Sequence, residues 1–273
     1  MWWGMNNRLI CRIEEALRKR RKLFCAYLTL GFPNLSVTRN LIPVLERSGT
    51  DILELGFPFS DPLADGPTIQ KASERALKNG VTVHDALGII RSLRKKGLSI
   101  PILFFSYINP VLRYGVKRLA DDLARNGFDG LIIPDLSLEE GRFLEPVFKR
   151  VNLSLVYLIA PTTDKARARE IAKRSSGFVY YVSIRGVTGA RYIVPRDLIR
   201  NVKQIKRLSR KPVLVGFGVS QVSQARAIAA VADGVIVGSA IVNQISKSKA
   251  KDVSKQVAKL VSRLAASIQR KPS

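Results

Sequence analysis

The chain has 273 residues, with 46 Lys+Arg against 21 Asp+Glu and a formal net charge of +25. At 46% hydrophobic and 25% charged residues it has the composition of a folded protein with a sizeable core, which excludes a disordered polycation. One histidine (His84) and two cysteines (Cys11 and Cys25) exclude a disulfide framework and most zinc or Ser-His chemistry, and they fit a reducing, cytoplasmic setting.

From the N-terminus, MWWGMNNRLI lacks the charged-then-apolar form of a signal peptide, and residues 1–5 read as an extension. No apolar run reaches the roughly 18 residues that would cross a bilayer. Asn6–Arg20 predicts a helix ahead of the first strand. Strands then follow at Leu23–Leu30, Asp51–Leu55, Ile100–Phe105, Gly130–Pro134, Ser154–Ile159, Phe178–Ser183, Pro212–Val215 and Gly234–Val237. Each is apolar almost throughout, as in a parallel sheet covered on both faces. Between them, helical periodicity runs through Thr38–Ser48, Val83–Lys96, Val116–Asn126, Leu138–Arg150, Asp164–Ser175, Pro195–Ser209 and Ser220–Val231, with a last helix at Lys249–Ile268. Asp164 and Ser220 are suited to N-caps, and Gly49, Gly97 and Gly127 to helix ends. Eight βα units with no linker or composition break predict one (β/α)8 barrel domain over 1–273, with an extra N-terminal helix. An open doubly wound sheet is the competing architecture.

Barrel active sites lie at the C-terminal ends of the strands. The first strand delivers Tyr27 there, the second Glu54 and the loop from Gly56 to Gly66, the third Phe105, Tyr107 and Asn109, and the fourth Asp135. The sixth delivers Ser183 and Gly186–Gly189, the seventh Gly216-Phe-Gly218, and the eighth Gly238-Ser239. Glu54 stands inside an apolar strand, where desolvation lifts a carboxyl toward the range useful for proton transfer. The structural reading of the same residue is a glutamate paired with a buried arginine or capped by backbone amides. Asp61 and Asp65, in a stiff proline-rich loop, favour function, although each also suits turn chemistry. Glycines ending successive strands suit a phosphate held by backbone N–H groups. Tyr27, Phe24, Phe57, Phe59, Phe105, Tyr107 and Phe217 are candidates to wall an apolar pocket. No lysine ends a strand, so a Schiff-base aldolase lacks its amine. What remains is carboxylate acid–base chemistry on a phosphorylated, partly aromatic substrate.

The segment Leu53-Glu-Leu-Gly-Phe-Pro-Phe-Ser-Asp-Pro-Leu-Ala-Asp-Gly-Pro-Thr-Ile-Gln70 closely resembles the signature of the tryptophan synthase α-subunit family. Ala26–Pro33, Tyr107–Pro110, Gly130–Asp135, Gly186–Ala190, Val215–Ser220 and Asp233–Ala240 agree with it across nearly the whole chain. The resemblance implies a (β/α)8 barrel that cleaves indole-3-glycerol phosphate to indole and glyceraldehyde 3-phosphate, with no metal or organic cofactor. It makes Glu54 the general acid–base and Asp65 the acceptor of the indole N–H. It places Tyr27, Phe105, Tyr107 and Asp135 at the indole end, and Gly189, Gly218, Gly238 and Ser239 at the phosphate, with Thr188 in loop closure. It also implies an α2β2 complex with a pyridoxal-phosphate β subunit, met by Pro58, Asp61 and Asn109. Ser137 stands where the family commonly has proline, close to the partner surface, and Ile184 and Arg185 vary the approach to the loop after the sixth strand.

Two other readings stay open at this level. One is a related barrel that releases free indole without a β subunit. The other is a nucleic-acid-binding protein, suggested by the basic runs Arg18–Lys22, Lys203–Lys211 and Lys247–Lys259. No nucleic-acid motif accompanies those runs, and their charges are interspersed with apolar core positions, as on solvated helix faces.

Overall fold

The structure, a computed structural model, describes residues 7–182, 196–216, 218–219 and 221–269. The chain runs α1 (Arg8–Arg18), β1 (Leu23–Thr29), α2 (Leu35–Arg47), β2 (Ile52–Gly56), α3 (Pro67–Lys78), α4 (Val83–Lys95), β3 (Ile102–Phe105), α5 (Ile108–Tyr114), α6 (Val116–Arg125), β4 (Gly130–Ile132) and α7 (Leu138–Arg150). It continues through β5 (Ser154–Val156), β6 (Leu158–Ile159), α8 (Lys165–Arg174), β7 (Val179–Val182), α9 (Arg196–Leu208), β8 (Val213–Gly216), α10 (Val222–Ala229), β9 (Gly234–Val237), α11 (Ser239–Lys247) and α12 (Val253–Gln269). All the pairings are parallel, in the order β5-β4-β3-β2-β1-β9-β8-β7-β6.

β5 and β6 are two halves of one barrel strand. The first half pairs with β4 and the second with β7, which closes the ring and gives the expected eight-stranded barrel. The break falls at Tyr157, whose N–H leaves the ladder and donates to the Ser175 hydroxyl at 3.0 Å. Strand alternation then sorts side chains into two layers. Leu23, Cys25 and Tyr27 of β1 fill the barrel with Ile52, Leu103, Phe105, Ile132, Phe178 and Leu214. Phe24, Ala26 and Leu28 face outward and pack under the helices.

α1 supplies the floor. Asn7 caps it, accepting from the Leu9 N–H at 2.9 Å, and donates to the Asp129 and Asn152 carbonyls at 2.9 and 2.7 Å. Leu9, Ile13 and Ala16, spaced for one helical face, are buried against the interior layer. Three aspartates, each one residue ahead of a strand, lock the same end. Asp51, Asp129 and Asp233 accept the backbone N–H of a neighbouring strand from Phe24, Ile102 and Val213 at 2.9, 2.8 and 2.9 Å. Each also meets a cation: Arg21 at 2.8 Å, Arg8 and Arg94 at 2.9 Å, and Lys206 at 2.6 Å respectively.

Gly49, Gly97 and Gly127 follow helices with φ of +96°, +91° and +89°, as expected of helix ends. Asp164 caps α8, its side chain accepting from the Arg167 N–H at 2.9 Å. α10 starts at Val222 behind Gln221, and Ser220 lies outside the described residues, as does the 1–5 extension. Three helices were not anticipated from periodicity: α3, α5 and α11. α5 and α11 are short, of seven and nine residues, and α3 follows the proline-rich loop after β2. No helix among the described residues is long and apolar enough to cross a membrane.

Candidate active site

Glu54 is the middle residue of β2, three positions before the Phe57–Gly66 loop, and pairs in register with Tyr27 of β1 and Leu103 of β3. Both neighbours point into the barrel, so Glu54 does too. It is 1% exposed, and no arginine or lysine reaches it among the described residues. Its one hydrogen bond among them comes from the Cys25 thiol, Sγ to Oε1 at 3.4 Å. Burial, reinforced by the charge of Asp65 and offset by the weak thiol donor, pushes the Glu54 carboxyl up to about 8. Among the described residues, neither a buried arginine nor a backbone cap meets Glu54.

Asp65 closes the Phe57–Gly66 loop. Its Oδ2 accepts from the Tyr107 hydroxyl at 3.1 Å, and that hydroxyl accepts from the Ala64 N–H at 3.0 Å. Tyr107 thus ties the loop after β2 to the end of β3. Burial pushes the Asp65 carboxyl up to about 6, against the pull of the tyrosine. Gly66 and Pro67 then start α3, with proline at a position where its missing N–H costs nothing.

Tyr27 and Phe105 meet edge to face at 5.5 Å, and Phe59 stacks on Tyr107 at 5.2 Å. Gly56 has no side chain because the Tyr27 hydroxyl lies against it; a Cβ there would collide. Phe24 and Phe57 are corrected from the expected pocket wall. Phe24 belongs to the layer under the helices, and Phe57 stacks on Phe104 in that same layer. A concavity of about 440 Å³ opens beside Tyr107, bounded by Phe59, Asp61, Leu63, Ala64, Asn109 and Asp135. Asp135 is exposed there and accepts the Ile108 N–H at 2.9 Å, so it also starts α5. Asp61 and Asn109, expected at the partner surface, share this mouth with Tyr107, while Pro58 is buried.

On the other side of the ring, Gly238 ends β9 and begins α11, with Ser239 as its first residue. A Cβ on Gly238 would crowd Tyr27 and Ile69 at 3.3 and 3.4 Å, so glycine permits that close approach. The first N–H groups of α11 have no helical acceptor and no side-chain cap, and the helix begins directly at the end of β9. Gly218 is exposed, with φ +25°. Ser183, Ile184, Arg185, Thr188, Gly189 and Phe217 lie outside the described residues. Among the described residues no cluster of His, Cys, Asp or Glu is arranged to hold a metal.

The family model for the tryptophan synthase alpha chain matches residues 13–269. The chain belongs to the tryptophan synthase alpha chain family. It is 43% identical over 246 residues to the tryptophan synthase alpha chain of Geotalea daltonii, covering 89% of this chain and 93% of that one. It is 45% identical to that of Halalkalibacterium halodurans, over 86% and 89% of the two chains. The crystal structure of tryptophan synthase subunit alpha from Legionella pneumophila superposes with a TM-score of 0.90 at 36% identity, covering 96% and 98%. An aminoacrylate-bound tryptophan synthase from Mycobacterium tuberculosis gives 0.85 at 35%, covering 96% and 100%. The family's alpha chain is a carbon–carbon lyase that cleaves indole-3-glycerol phosphate in tryptophan biosynthesis, and it pairs with a beta subunit.

Two interior residues escaped the sequence reading. Tyr180 of β7 lies inside the barrel with its hydroxyl against Gly216, where a Cβ would collide, and both Glu54 and Asp65 hold its phenol well above the ordinary value behind the larger effect of burial. Cys25 touches Glu54 itself. The only signal for either is strand alternation, which says that one of Tyr180 and Tyr181 points inward without saying which.

Proposed function

We propose that Glu54 and Asp65 carry the cleavage of indole-3-glycerol phosphate as two carboxyls held in opposite protonation states. The observation that carries this reading is Glu54: fully buried, unpaired by any cation among the described residues, and three positions before the loop that follows β2. With its carboxyl raised to about 8 and that of Asp65 to about 6, a window opens near neutral pH. In that window Glu54 holds a proton and Asp65 is an anion.

In the proposed sequence Glu54 gives its proton to indole C3. The ring becomes an indolenine cation, with positive charge at the nitrogen, and Asp65 stabilises it by accepting the N–H. Glu54, now a carboxylate, takes the proton of the hydroxyl on the adjacent side-chain carbon. The C–C bond breaks, its electron pair returns to the ring as neutral indole, and the hydroxyl carbon becomes the aldehyde of glyceraldehyde 3-phosphate. Glu54 ends protonated, as it began. The site then needs a dry interior, in which a fixed anion beside a developing cation is worth most.

Tyr27, Phe105 and Tyr107 are placed to flank an aromatic ring at this end of the barrel. Gly218, Gly238, Ser239 and the N-terminus of α11 suit a phosphate, as do Thr188 and Gly189 by their place in the sequence. No cofactor is required by this scheme. We place Asp61 and Asn109, both exposed at the barrel mouth, at the surface that meets a pyridoxal-phosphate β subunit in an α2β2 assembly, with Pro58, buried in the free chain, shaping the loop that carries Asp61. The family's biosynthetic role supports a cytoplasmic location.

The test is indole release from indole-3-glycerol phosphate by the purified chain and by Glu54→Gln. The wild type turns over and the variant loses about a thousandfold or more in kcat while keeping its fold. Activity within a few-fold of wild type in the variant would remove Glu54 from the reaction. Adding a β subunit from a relative separates a synthase, which is strongly activated, from a standalone lyase.

A further inference from the structure

Cys25 lies on the inward face of β1, two residues before Tyr27. Cys25 pairs in register with Ile52, and Tyr27 with Glu54. The thiol is therefore the diagonal neighbour of the glutamate, one layer deeper in the barrel. It is 0% exposed, and its sulfur is 3.4 Å from Glu54 Oε1. No other described group hydrogen-bonds that carboxyl. Burial and the glutamate's own charge push the thiol up, so it keeps its proton and remains a donor.

We propose that Cys25 is a positioning residue for the Glu54 carboxyl, with its S–H fixing Oε1 so that the other oxygen faces the substrate cavity. Sulfur suits this task because its hydrogen bond is weak. An O–H or N–H donor at the same place would stabilise the carboxylate and pull its proton affinity back toward the ordinary range. An aliphatic side chain would leave the carboxyl free to rotate in a buried setting that offers it no other hydrogen bond among the described residues. The thiol orients the group and leaves it a competent acid.

The titratable groups facing this pair come from every packed element: Tyr27 on β1, Asp51 below β2, Asp65 in the loop after β2, and Tyr180 on β7. None of these is a cation, so among the described residues no strong partner competes with the thiol for Glu54. The inference rests on Glu54 being the acid–base of the reaction for its kinetic consequence, but its structural core does not.

Two measurements test it. In Cys11→Ala protein the one remaining thiol is Cys25, and its S–H stretching band is read by infrared spectroscopy. The band moves to lower frequency as pH rises through about 8, where Glu54 ionises, and that movement disappears when Glu54→Gln is added. A band that ignores pH overturns the contact. Kinetically, Cys25→Val shifts the alkaline limb of kcat/KM upward by about half to one pH unit. It also lowers kcat roughly three- to tenfold, with KM within about twofold. Cys25→Ser, which restores a donor, recovers most of kcat and returns the limb to or below that of the wild type. A Val variant with wild-type limb and kcat overturns the positioning role. If Glu54→Gln proves fully active, the reaction scheme fails, yet the infrared titration still reports whether thiol and carboxyl meet.

Discussion

The two ends of this barrel hold buried carboxyls under opposite rules. At the floor, Asp51, Asp129 and Asp233 are each tied to a strand N–H and a cation. At the mouth, among the described residues, Glu54 meets only a thiol and the field of Asp65, and Asp65 a phenol. Burial alone does not separate the two sets. Asp129 is 3% exposed and Glu54 1%, and burial pushes both upward. The difference is that Arg8, Arg94 and the Ile102 amide pull against that push at Asp129, whereas at Glu54 the opposing donor is a lone S–H. A carboxyl that must stay ionised to hold register is given partners, and one that, in the proposed scheme, must trade a proton is denied them.

The comparison breaks most visibly if Glu54 is dispensable. Glu54→Gln is expected to cost about a thousandfold or more in indole release, and to gain thermal stability over the wild type as pH rises. The folded chain holds the Glu54 proton up to about pH 8, while the unfolded chain gives it up near the ordinary carboxylate value. The wild type therefore loses stability across that interval and the variant does not, which calorimetry at several pH values reads. At the floor, Asp129→Asn strands two guanidinium groups and is expected to cost about 3–5 kcal/mol of unfolding free energy by denaturant titration. Its kcat/KM is expected to stay within about twofold.

Asp65→Asn removes the anion but keeps the side-chain shape, and a ten- to hundredfold loss in kcat is expected. In the wild type the kcat/KM profile is expected to be a bell, falling on the acid side as Asp65 is protonated near 6 and on the alkaline side as Glu54 ionises near 8. A single limb would mean that only one carboxyl acts. The smallest effect is expected at Ser137. It caps α7, accepting from the Glu140 N–H at 3.2 Å while Glu140 accepts from the Ser137 N–H at 3.2 Å. Ser137→Ala is expected to cost about 0.5–2 kcal/mol of stability with catalysis unchanged.

Much of this was legible in the chain. The eight apolar runs became the barrel strands, and the Leu53–Gln70 segment led directly to Glu54 and Asp65. What was not legible has physical causes. α5 and α11, of seven and nine residues, are too short for a helical period to declare itself. Pro67 at the start of α3 was a usable signal that the preceding loop obscured. The break at Tyr157 depends on a hydroxyl eighteen residues away, which no local pattern carries. The floor aspartates each precede a strand, but sequence spacing does not say that Arg94 or Lys206 comes to meet them. Those pairings also account for part of the basic runs: Arg21 and Lys206 lock strands, and Lys22 donates to the Ala232 carbonyl. Ser137, which departs from the usual proline, opens a capping box with Glu140, and its Ser-x-x-Glu spacing was a usable signal in the chain.

The most direct measurement is the ionisation of Glu54 itself. Carboxyl-carbon NMR of protein labelled at glutamate, compared between wild type and Glu54→Gln, identifies the resonance that the variant lacks. That resonance is expected to titrate with a midpoint near 8, and a midpoint in the ordinary carboxylate range, near about 4, would contradict the claim that Glu54 is held protonated at neutral pH by its lack of partners.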